Sequence, residues 1–155
     1  MSKRKQTFYI AVHCSATKPS QDIGAKEIRL MHKRRGWSDI GYNIVIRRSG
    51  KVDIGRALEY VGAHIKGYNS VALGVCLVGG VSESGVPEQN YTQEQYSALE
   101  QTIRWLDLVY PDTVIKGHRD FSPDLDGDGV IESHEWLKQC PCFDVKAWTQ
   151  HNLLR

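Results

Sequence analysis

Eight residues at positions 71–78, VALGVCLV, constrain this chain more than any others. No polar side chain interrupts them, and Gly79-Gly80 closes the run. A half-buried strand alternates apolar and polar residues, whereas a short, continuous apolar run bounded by turn residues reads as a strand buried on both faces. Such strands sit in sheets covered by helices on either side, which points to the α/β class. The run is far too short for a membrane span, which needs about 20 apolar residues.

The rest of the chain supplies partners for that strand. Residues 8–12 form a second short apolar run ending at His13-Cys14. Pro19, Ser20, Gln21 and Asp22 provide cap residues for a helix over about 24–35, carrying Ile28, Leu30 and Met31 and stopping at Gly36. Residues 42–48 and 51–55 read as a hairpin around Ser49-Gly50. Thr92 and Gln95 form a capping box, opening a helix with Tyr96, Leu99, Ile103, Leu106 and Val109 on one face, ended by Pro111. Residues 113–116 form a strand that delivers Gly117-His118, and a short helix follows at about 144–151. At 155 residues, the expectation is one domain over 1–155, a central mixed sheet flanked by helices.

The net charge of +2 hides an uneven distribution. Residues 1–56 carry 13 Lys/Arg against 4 Asp/Glu, and residues 57–155 carry 7 against 14. A basic half raises the question of nucleic acid, but no nucleic-acid motif accompanies it. The cations fall on a helix (Lys26, Arg29, Lys33, Arg34, Arg35) and a hairpin (Arg47, Arg48, Lys51), and read as solvated faces suited to an anionic surface. The basic start is followed by too short an apolar run for a signal peptide, so synthesis in the cytoplasm is expected. The four cysteines, Cys14, Cys76, Cys140 and Cys142, read as core thiols or metal ligands rather than disulfides.

The acidic segment 124–135, DLDGDGVIESHE, matches the EF-hand loop template. Asp124, Asp126 and Asp128 stand at positions 1, 3 and 5, Gly129 at 6, and Glu135 at 12. Alternate residues of a tight loop turn oxygens inward, Gly129 permits the bend, and Glu135 closes the shell with two oxygens. Val130 contributes its backbone carbonyl and Glu132 ligates directly or through water. A structural Ca²⁺ is expected, in an isolated loop with no entering helix and a helix leaving around 133–139.

His13, His118 and Cys140 stand at strand ends or just beyond. Two imidazoles and a thiolate leave a fourth position open, the pattern of a catalytic zinc. Residue type alone does not assign them, because a histidine at a strand end more often packs. The segments VHCSATKPSQ (12–21), GWSDIGYNIVI (36–46), VGAHIKGYNS (61–70), GVCLVGG (74–80), GHRD (117–120) and KQCPCFD (138–144) carry more. Through them the chain resembles the zinc-dependent type-2 N-acetylmuramoyl-L-alanine amidases, which include phage lysozyme-amidases and the peptidoglycan recognition proteins.

The resemblance implies Zn²⁺ on His13, His118 and Cys140, with Tyr42 and Lys138 as catalytic residues. The implied reaction is hydrolysis of the amide between N-acetylmuramic acid and L-alanine. In it, zinc acidifies a water, Lys138 stabilises the oxyanion, and Tyr42 orients the water or passes a proton. His64, Trp37 and Asn69 fall on the implied substrate groove. His32 reads as structural, and His134 and His151 as solvated. The implied setting is an endolysin-like monomer acting on bacterial peptidoglycan after release, with no nucleic acid and no membrane insertion. The alternative is a non-catalytic peptidoglycan-binding module, from which Cys140 is expected to be missing.

Overall fold

A computed structural model describes residues 1–153; the last two positions of the expected 1–155 domain lie outside the described residues. Five strands form one mixed sheet: β1 (Tyr9–Cys14), β2 (Ile44–Ile46), β3 (Val52–Ile54), β4 (Ala72–Leu77) and β5 (Val114–Gly117). Their spatial order is β3-β2-β4-β1-β5, with β3 antiparallel to β2 and every other pairing parallel. Helices α1 (Ala25–Arg34), α2 (Gln93–Val109) and α3 (Val145–Leu153) cover the sheet. The apolar run is the central strand β4, hydrogen-bonded on both edges and buried along its whole length.

The two faces of the sheet differ in side-chain size, and this positions the site. On one face Ile10, Val12, Leu73, Val75 and Leu77 pack with Ile44 and Ile46 against Leu99, Ile103 and Leu106 of α2. Because strand side chains alternate, the other face of β1 and β4 receives Ala11, His13, Ala72, Gly74 and Cys76. These are small residues apart from His13. A smaller cluster, Ile28, Ile40, Val45, Cys76 and Val78, seats α1 there. The space left beside it opens as a cleft.

Three local expectations differ from the structure. The N-cap of α1 is Gly24, not a residue of 19–22. The Glu27 carboxylate accepts from the Gly24 amide at 2.9 Å, and Asp53 Oδ2 accepts from the Ala25 amide at 3.0 Å, so the hairpin caps the helix from outside. On α2 the capping box forms as expected, but the buried stripe includes Gln95 and Thr102, while Val109 is exposed and Tyr96 only partly covered. Gln95 is fully buried because its amide donates to Ile46 O (3.2 Å) and Val78 O (2.8 Å) and its oxygen accepts from the Thr92 amide (2.9 Å). A polar group is tolerated inside when every partner is met.

The third difference concerns the chain leaving the acidic loop. No α-helix forms over 133–139; a single 3₁₀ turn, Ser133–Glu135, stands there instead. The Leu137 amide donates instead to Ser122 Oγ at 3.0 Å, which draws the chain out of helical geometry and back toward the cleft. Within 124–135 the carboxylates serve the loop's own amides. Asp124 accepts from Gly127 and Gly129, and buried Glu135 accepts from Leu125, Asp126 and Glu132. Gly129 sits at φ +86°, a left-handed turn that suits glycine. No α-helix enters the loop: a 3₁₀ turn, His118–Phe121, ends before Pro123.

Candidate metal centre and active-site cleft

The register of the parallel sheet builds the site. Val12 of β1 pairs with Gly117, the last residue of β5, so His13 on β1 and His118, which opens the 3₁₀ turn just past β5, emerge side by side at the carboxyl ends. Crevices at the carboxyl ends of parallel strands are the usual binding places in open α/β sheets. The cleft there encloses about 470 Å³. A larger groove of about 610 Å³ runs along β5 and α3, but it is lined by Lys116, Arg119, Asp120 and Trp136 rather than by imidazole or thiolate.

His13 Nδ1 and His118 Nδ1 lie 3.1 Å apart. Ligand atoms of His13, His118 and Cys140 all lie within 4.8 Å of one another. The chemistry of this donor set fits a zinc ion. Burial keeps the imidazoles neutral, lowering His13 well below its ordinary value and His118 to about 4, so each offers a lone pair. Cys140 Sγ accepts from the Cys14 amide at 3.0 Å, a hydrogen bond that fixes the sulfur at the edge of the cleft. Cys142, two residues on, turns away and donates to Gly80 O at 3.4 Å.

The remaining expected residues fall around this centre. The Tyr42 ring lies 5.2 Å from that of His13, with its hydroxyl donating to Cys14 O at 3.4 Å. Burial raises Tyr42 well above 10, so the phenol stays protonated. Lys138 lines the cleft, and its positive charge helps to lower both His13 and His118. Trp37 stands at the rim, 38% exposed, with its ring 4.6 Å from that of His32. Asn69 also lines the cleft, but its Oδ1 accepts from the amides of His64 and Ile65, both at 2.8 Å.

His32 is buried beside the cleft, accepting from the Gly41 amide at 2.9 Å, while His134 and His151 are exposed. Cys14 and Cys76 are buried. Residue patterns missed one relation. His64 lies directly behind His13, Nδ1 to Nε2 at 2.8 Å. The readable signal for it was Gly74, the one residue without a side chain in an otherwise apolar strand.

Residues 3–141 match the family model Amidase_2, described as N-acetylmuramoyl-L-alanine amidase. The chain is similar to the endolysin of Enterobacteria phage K11, 45% identical over 149 residues that cover 96% of this chain and 89% of that one. It is also similar to the endolysin of Escherichia phage T7, 41% identical over 98% of this chain and 91% of that one. Among solved structures, the fold resembles the N-acetylmuramoyl-L-alanine amidase LysC from Clostridium intestinale URNW, with a TM-score of 0.72 and 24% identity over 97% of this chain and 92% of that one. Drosophila PGRP-LB superposes with a TM-score of 0.70 and 20% identity over 96% and 83% of the two chains. A family match over nearly the whole length joins a sheet of the same fold and a His-His-Cys group at its carboxyl edge: the chain belongs to the N-acetylmuramoyl-L-alanine amidase family.

Proposed function

We propose that this chain is an endolysin-type amidase that hydrolyses the bond between N-acetylmuramic acid and L-alanine in bacterial peptidoglycan, with zinc held by His13, His118 and Cys140. The observation that carries this reading is the convergence of those three donors on one side of a cleft, within a chain whose family match spans residues 3–141. Zinc, when bound, supplies Lewis acidity, which lowers the pKa of water and polarises a carbonyl. Lys138 supplies a fixed positive charge for the negative charge that develops on the scissile carbonyl oxygen. Tyr42 stays protonated at the working pH, so it serves as a hydrogen-bond donor that orients a reactant rather than as a base. Trp37 at the rim, with His64 and Asn69 on the wall, forms the groove for glycan and peptide. The presence of Cys140 favours the enzyme over a non-catalytic binding module.

The chain works as one domain over 1–155, with 124–135 inserted between His118 and the Lys138–Cys140 segment. We propose that the insertion takes a structural Ca²⁺ on Asp124, Asp126, Asp128, Glu132 and Glu135 with the Val130 carbonyl. Its support is the loop template and the mutual approach, within 4.8 Å, of oxygens from Asp124, Asp126 and Glu135. Calcium there would order the return of Lys138 and Cys140 to the cleft without taking part in the chemistry. No helix among the described residues is long and apolar enough to cross a membrane. The enzyme is proposed to act as a monomer that reaches the wall after release from the cytoplasm, its basic α1 and hairpin facing the anionic polymer.

The test is product identity on purified peptidoglycan. New N-terminal L-alanine without new reducing sugar ends is expected. Reducing ends in place of L-alanine, or binding with no bond cleavage, would overturn the reading.

A further inference from the structure

The two ring nitrogens of His13 have different neighbours. Nδ1 faces His118 Nδ1 at 3.1 Å, in the group that includes Cys140, and Nε2 lies 2.8 Å from His64 Nδ1. The other nitrogen of His64, Nε2, lies 3.2 Å from the carbonyl oxygen of Ala72. A carbonyl only accepts, so His64 carries its proton on Nε2 and presents a bare Nδ1. To meet that acceptor, His13 must carry its own proton on Nε2. Its Nδ1 is then a lone pair in the metal-ligand group.

The ring of His64 is held as tightly as this relay needs. A Cβ placed on Gly74 would lie 2.9 Å from three atoms of the imidazole, and one on Gly62 would lie 2.7 Å from its Cδ2. Glycine inside a strand weakens it and marks close approach of another group; the group at Gly74 is this ring. Asn69 Oδ1 fixes the start of the side chain through the amides of His64 and Ile65. The two imidazoles meet edge to face, with centroids 4.8 Å apart at 86°.

We infer that His64 is a positioning residue for the metal centre: from the Ala72 carbonyl it sets the tautomer and ring angle of His13. This rests on the reading above that His13 helps hold zinc. It gives a specific task to a residue that the groove reading leaves as wall. Partners of metal-bound histidines orient the ring and raise its basicity, and losing one weakens metal binding by about 10–100-fold.

The experiment measures zinc Kd by competition with a chromophoric chelator for the wild type, His64→Phe, His64→Gln and Gly74→Ala. Far-UV circular dichroism of each metal-free protein checks the fold, and ring ¹⁵N shifts report the His13 tautomer. Phe fills the space but neither accepts nor donates, whereas the Gln amide does both and can restore the relay. The expected result is zinc binding weakened about 10–100-fold in His64→Phe, most of that loss recovered in His64→Gln, and weakening in Gly74→Ala, whose new methyl displaces the ring. Metal-free wild-type His13 is expected with its proton on Nε2. A folded His64→Phe with wild-type Kd would overturn the inference and leave the zinc reading standing. So would metal-free wild-type His13 protonated mainly on Nδ1, a measurement that needs no variant to fold. A wild type that takes up no zinc at all overturns both.

Discussion

Acidifying the metal-free protein should destabilise it by several kcal/mol before most of its carboxylates titrate. Burial lowers His13, His64 and His118 from the ordinary 6.5, with His64 and His118 brought to about 4. A histidine lowered in the folded state is stabilised by folding only in its neutral form. The stability is complete above 6.5, where both states are neutral, and is lost as pH falls toward the folded value, because the unfolded chain then binds more protons. For His64 the loss between pH 7 and pH 4.5 is about 2.5 kcal/mol, from about 1.4 kcal/mol per unit. His118 is partly open to the cleft, and discounted for solvent its share is about 1.5 kcal/mol. Together they remove about 4 kcal/mol, a large part of the roughly 5–15 kcal/mol that a domain possesses, and His13 acts in the same direction.

The assay is urea denaturation of chelator-stripped protein at half-unit steps from pH 7 to pH 4.5, in parallel with His64→Phe. The wild-type unfolding free energy should fall by several kcal/mol, and the variant should fall less steeply, by about one proton per molecule. A wild-type change below about 1 kcal/mol across that window, or a variant with the wild-type slope, would refute the argument from buried neutral imidazoles.

Four further outcomes follow from the same contacts. Lys138→Ala should retain zinc, because Lys138 lowers both histidines and is no ligand, yet lose about 10²–10³-fold in kcat; loss of zinc in step with kcat would contradict its role. Tyr42→Phe should keep zinc and fold while losing about 10²-fold in rate, as read by L-alanine release and metal analysis. Gln95→Leu removes two hydrogen bonds to the carbonyls of Ile46 and Val78 and takes the acceptor from the Thr92 amide, and should cost about 2 kcal/mol in urea denaturation without changing the rate of the remaining folded enzyme. Calcium should raise the thermal midpoint of the wild type, and both Asp124→Ala and Asp126→Ala should abolish that rise; variants keeping wild-type zinc affinity and rate in low calcium would remove the proposed link between the loop and the cleft.

What could be read in advance divides along physical lines. The central strand and the Thr92–Gln95 cap were readable because a continuous apolar run and a local hydrogen-bonding pair each encode their own structure. The cap of α1 was not, since the groups that satisfy its first amides include Asp53 on a strand nearly thirty residues away. Gln95 looked like a cap residue alone, and its burial depends on carbonyls of β2 and of Val78 just past β4 that only the folded sheet brings to it. Similarity in short segments pointed to His13, His118 and Cys140, but the place of His64 depends on a loop folding over Gly74. A lone glycine in an apolar strand signals that something approaches, not what approaches.

The most direct measurement of the central claim is zinc stoichiometry in the purified protein, taken beside amide cleavage for the wild type and Cys140→Ser. The account predicts one zinc per wild-type chain, L-alanine release that stops when a chelator removes it and returns when zinc is restored, and loss of both metal and activity in the variant. Undiminished amide cleavage by the stripped wild type, or a Cys140→Ser protein that keeps both its zinc and its rate, would contradict it.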